Sequence, residues 1–167
     1  MTNNSLTPYQ QQDTALDLVA VRMDSAKYPR IKAIPAATSV TGIAKIIASA
    51  LAYTGRQLAE QDVRFMAGSL LQELLQDYDG VGTANITLEE LNYCVRRAVL
   101  GLGPEMYGIN VASIYKIACD YCLNEGRQAQ ETANNRHRAQ RVKALESSAA
   151  GAMLTTYAGK MIKEKTI

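Results

Sequence analysis

Apolar residues return at intervals of three and four along this chain, and runs of strict alternation are absent. A spacing of three and four matches one face of an α-helix, whereas a half-buried strand needs a period of two. The chain is therefore expected to be all-α. Hydrophobic residues make up 47% of it, drawn mainly from Ala, Leu, Ile and Val, with one Phe and no Trp. Small side chains let helices approach closely. Nine Tyr are too many to bury cheaply, so most rings are expected at the rim of the core, with their hydroxyls near water.

Breaks in the pattern divide the helices. Pro8 can occupy a first helical turn, and Ala15, Leu16, Leu18, Val19, Val21 and Met23 supply an apolar face that must end before Pro29. A linker with Pro29 and Pro35 follows. The spacing then predicts a helix over 39–57, through Val40, Ile43, Ile46, Ile47, Ala50 and Leu51, closed by Gly55. A third is expected over 59–78, where Val63, Met66, Ala67, Leu70, Leu71, Leu74 and Leu75 form a broad stripe and Asp62 favours the first turn. Thr87 and Glu90 have capping-box spacing, each satisfying a free backbone amide of the other, so a fourth helix should start at Leu88 and run toward Gly101. Gly101, Gly103, Pro104 and Gly108 form the sharpest break. From Val111 the pattern reads as helical to the end.

Charge splits the chain unevenly. Residues 1–126 carry ten Lys and Arg against thirteen Asp and Glu, a net of −3; residues 127–167 carry eight against three, a net of +5. The expected organisation is a compact bundle of four to five helices over 1–126, followed by a long C-terminal helical arm over 127–167. Arg127, Arg136, Arg138, Arg141 and Lys143 are the candidate nucleic-acid contacts, because guanidinium and ammonium groups release counterions from a phosphate backbone. The bland alternative is a solvated helix. Beyond them Met153, Tyr157 and Met161 share a face, with Leu154 and Ile162 beside it. Such an amphipathic end either folds back on its own domain or docks on another chain, and methionines suit an adaptable interface.

Catalytic and metal chemistry find little footing. His137 stands alone as the chain's one histidine, without a neighbouring acid, serine or cysteine to complete a triad. Cys119 and Cys122 form a C-x-x-C without a second ligand pair, and Cys94 adds one thiol only, so core packing explains them better than a metal. Glu89 and Glu90 read as helix-start residues, Asp77 and Asp79 as a helix-ending turn. No catalytic residue, metal or cofactor is assigned. An odd cysteine count points to a reducing cytoplasm. The longest strongly apolar stretch, 43–53, includes Lys45 and is shorter than the roughly 20 residues of a membrane span.

Residues 58–127 carry a resemblance. The segment LAEQDVRFMAGSLLQELLQDY, a turn, and then ITLEELNYCVRRAVLGLGPEMYGINVASIYKIACDYCLNEGR resemble small helical replication proteins of phages and mobile elements. The I-T-L-E-E start, the basic helix end, the Y-G-I-N turn and the closing D-Y with its following E and R carry the likeness. The aromatic ending of that family appears here as Tyr115 through Tyr121, without tryptophan. The resemblance implies a non-enzymatic adaptor near the replisome or a helicase loader, in a bacterial host cytoplasm. Its implied partners are another protein or its own copies as a homo-oligomer, with single-stranded DNA as a further candidate, and neither a membrane nor a small-molecule substrate. The alternative is a phage-type inhibitory or structural protein that works by protein contacts alone.

Overall fold

The computed structural model describes residues 16–164, with side chains through 148. Among these residues the chain is all-α: the only extended pairing is a single antiparallel bridge between Arg30 and Thr87. The helices are α1 (Leu18–Met23), α2 (Ala36–Tyr53), α3 (Glu60–Gln76), α4 (Leu88–Val99), α5 (Val111–Leu123) and α6 (Glu125–Glu164), with short 3₁₀ turns at Ile31–Ala33 and Thr83–Asn85. Pro8 and Ala15, from which the first helix was expected to grow, lie outside the described residues.

Four helices close a ring. α2 packs on α3, α3 on α5, α5 on α4, and α4 back on α2, while α1 lies against α4. Inside the ring Ile43, Ile47, Leu70, Leu74, Leu91, Val95 and Ile114 are almost wholly buried, as are Ala67 and Ala118. Each large side chain removed from water contributes about 1.5–3 kcal/mol, which is what holds helices of 12 to 18 residues that would be marginal alone. α2 has the length and apolar composition of a short membrane span. Its apolar character is spent on the bundle, through Ile43, Ile46, Ile47, Ala50 and Leu51, and its exposed side is chiefly Ala, Thr and Lys45.

Local chemistry sets the ends. Asp17 accepts from the amides of Val19 at 3.0 Å and Ala20 at 3.1 Å, starting α1. Thr87 and Glu90 make the expected capping box, and Asn110 accepts from Ser113 at 2.9 Å to start α5. α3 closes on Asp77, which takes a left-handed conformation at φ 46°. Its carboxylate then accepts from the amides of Gly82 (2.9 Å) and Thr83 (3.2 Å), so one side chain folds the whole 77–83 turn.

The continuous helix read from Val111 onward is interrupted. Asn124, at φ −109° and ψ −94°, ends α5, and its carbonyl accepts from Gln128 to start α6. Asn side chains compete for backbone partners and favour such junctions; here the Asn124 amide also donates to Asp120 at 3.1 Å. The first compact unit runs through Gln130, and a second spans Glu131–Ile167.

Gly126, in the first turn of α6, is a packing requirement. A Cβ there would stand 2.9 Å from Tyr121 Cε1, 3.1 Å from the Tyr121 carbonyl and 3.2 Å from Arg22 Nη2. The carbonyl cannot swing aside. Gly126→Ala should therefore lower stability by about 1–3 kcal/mol, although Ala is the better helix former. Urea unfolding measures this, and an unchanged or raised midpoint would sink the packing argument.

Candidate nucleic-acid interface and a buried carboxylate network

Arg127, Arg136, Arg138, Arg141 and Lys143 all project from α6 and all are exposed. At 100° per residue Arg127, Asn134, Arg138 and Arg141 fall in one stripe, with Arg136 and Lys143 on the opposite side. Glu131 is the only acid between 127 and 143. Ala129 and Ala133 of the same helix are buried, while these cationic side chains are exposed. His137 is exposed among them. Met153, Leu154, Tyr157, Met161 and Ile162 lie on the helical backbone of α6, but their side chains are outside the described residues.

Sequence reasoning missed a second polar cluster, centred on Glu90. Its carboxylate is completely buried. Oε2 accepts from the Thr87 amide at 2.9 Å and lies 3.5 Å from Arg30 Nη1. Oε1 accepts from Arg22 Nε in a short charge-assisted bond and from the Tyr121 hydroxyl at 2.7 Å. Arg22 and Arg30 each also reach Gln130 Oε1 at 3.4 Å. Burial, and then the charge of Glu90, push the Tyr121 hydroxyl well above the ordinary phenol range, so it stays protonated as a donor. Burial, and then the charge of Arg22, lower the Arg30 guanidinium.

The capping role read for Glu90 is correct but incomplete. Glu90, Cys94 and Ala98 are spaced four apart, so the carboxylate shares the face that α4 turns inward. That spacing was the available signal. Arg22, Arg30, Tyr121 and Gln130 carry no comparable mark, because they meet Glu90 only through the tertiary fold.

A smaller cluster ties α4 to the start of α6. Arg97 Nη1 contacts Glu125 Oε1 at 2.5 Å and Tyr93 Oη at 2.9 Å, and the Tyr93 hydroxyl donates to Glu125 at 3.0 Å. Tyr93 in turn sets its ring edge to face against Tyr121, with centroids 6.3 Å apart. Because these groups are partly exposed, their ion pair contributes on the order of 1 kcal/mol or less.

The thiols are free, with Cys94 and Cys122 buried. Burial raises both, Cys122 to about 12, and also raises Cys119, so none supplies a thiolate at neutral pH. Among the described residues no three His, Cys, Asp or Glu side chains stand where they could hold a metal ion. Cys119 Sγ donates to Asp79 Oδ2 at 3.8 Å, and Thr83 Oγ1 donates to Asp77 Oδ1 at 3.0 Å within the 77–83 turn.

Glu90→Gln removes the charge that both arginines face and should cost about 3–5 kcal/mol, the cost of leaving a buried partner uncompensated. Tyr121→Phe removes one donor to the same carboxylate and should cost less, about 1.5–3 kcal/mol. Chemical unfolding of the two variants measures the order; equal midpoints for Glu90→Gln and the parent chain would show that the network is not structural.

Comparison with protein-family models, with curated proteins and with solved structures yields no match to this chain.

Proposed function

We propose that the protein is a non-enzymatic adaptor of DNA replication in a phage or mobile element, contacting nucleic acid through the basic stretch of α6. The observation that carries this reading is the exposure of Arg127, Arg136, Arg138, Arg141 and Lys143 on one helix, with Glu131 the only acid among them. Cations presented this way bind phosphates without reading bases. The replication setting rests on the sequence resemblance alone. Binding should therefore be strongly salt-dependent and weakly sequence-dependent, with log K falling as log salt rises in proportion to the number of phosphates contacted.

A fluorescent single-stranded oligonucleotide titrated at low salt tests this. Replacing Arg136, Arg138 and Arg141 with Ala should weaken binding at least tenfold and flatten the salt slope by about 2–3. Equal affinity in the parent and triple variant would end the nucleic-acid assignment. The protein would then fit the alternative, an inhibitory or structural role through protein contacts, with its basic helix facing an acidic surface.

The reading assigns Met153, Leu154, Tyr157, Met161 and Ile162 to a protein partner or to further copies of the chain. Met153→Asp with Tyr157→Asp in the full-length protein places charge on that face. Light scattering should show a lower mass than the parent; a parent already monomeric would exclude self-assembly and leave a different protein as the partner.

A further inference from the structure

The Glu90 network holds two guanidinium groups and, among the described residues, one carboxylate. Arg22, Arg30 and Glu90 have side chains 7%, 18% and 0% exposed, so this excess positive charge sits largely out of water. Uncompensated charge in such a place is costly unless a counterion reaches it. Two further observations point to where one would go. The guanidinium groups converge on a single oxygen, Gln130 Oε1, at 3.4 Å from each. That is a neutral acceptor at the long limit of hydrogen bonding, shared between two cations. Arg30 Nη1 is buried and makes no hydrogen bond among the described residues, its 3.5 Å approach to Glu90 being an ion pair only.

We propose that Arg22 and Arg30 form a binding site for a phosphate-type oxyanion, which takes the position held by the Gln130 carboxamide oxygen. Paired guanidinium groups match an anion with several oxygens better than a spherical halide, because their donors are fixed in planar forks. The backbone holds Arg30 in place for this: its neighbour Ile31 donates to the Ile86 carbonyl at 2.9 Å, and Arg30 itself forms the bridge to Thr87. Arg22 is anchored by Glu90, and Arg30, with 18% of its side chain exposed, gives the route from solvent. The bound group is free phosphate or a phosphate of nucleic acid. Gln130 lies on α6 between Arg127 and Arg136, but the arginines of this site come from α1 and the segment before α2, and the site does not depend on the function proposed for the basic stretch.

Thermal unfolding of the full-length chain in sodium phosphate, against sodium chloride at equal ionic strength, tests the site. Phosphate should raise Tm by about 3 °C more than chloride. Arg30→Gln should abolish the difference. Gln130→Glu keeps both arginines and supplies a carboxylate at the shared position, so it should raise Tm in chloride and remove the response to phosphate. Equal shifts in the two salts for the parent chain, or a full phosphate response surviving in both variants, would overturn the proposal. The source is separated with the Arg136, Arg138 and Arg141 triple-Ala chain: stabilisation by inorganic phosphate but not by a short oligonucleotide assigns free phosphate. Stabilisation by the oligonucleotide that Gln130→Glu then removes assigns a nucleic-acid phosphate.

Discussion

A carboxylate with no exposed surface has to find its counter-charges inside the protein, and Glu90 finds them at widely separated points of the chain. Arg22 comes from α1, Arg30 from the segment before α2, and Tyr121 from the end of α5. Desolvating an ion costs several kcal/mol, and only well-placed partners offset it. The network therefore tolerates few alternative arrangements of these elements. It gives a reason for α1, a helix of six residues, to hold its place on α4. It also explains why the first turn of α6 needs a residue as small as Gly126, since Tyr121 and Arg22 crowd that position.

Around this polar centre the remaining packing is generic. The ring of α2, α3, α5 and α4 is filled by Ile, Leu and Val, with buried alanines among them. Burial without direction would allow several registers of such a ring. The Glu90 contacts and the Asp77 turn are directional, since hydrogen bonds fail beyond narrow limits of distance and angle. Apolar area supplies most of the stability here, and the buried Glu90 network and the partly buried Asp77 turn select one packing from those that area alone would permit.

Much of this was legible along the chain. The helix expected over 39–57 forms at Ala36–Tyr53, that over 59–78 at Glu60–Gln76, and α4 starts at Leu88 behind its capping box. Those elements rest on spacing and on caps that reach only three residues away. The Asn124 junction was not seen, because the polar residues that follow it suit a helix as well, and one Asn is a weak signal beside thirteen helical residues. Residue type alone does not give exposure: Phe65 is 77% exposed, whereas Tyr121 is buried with its hydroxyl on Glu90.

The amino-acid order by itself determined the all-α class, most helix positions and the presence of a basic stretch, since each depends on interactions within about one helical turn. The exposure of the cations in that stretch followed from their composition, while the same helix buries Ala129 and Ala133. Which arginines lie in water and which lie in the core was decided only by the tertiary structure. Arg138 and Arg22 are chemically the same side chain; one projects from α6 into solvent, and the other is held against a carboxylate 68 residues away. Contacts of that kind depend on where the ring of helices brings distant turns together, and no local spacing encodes it.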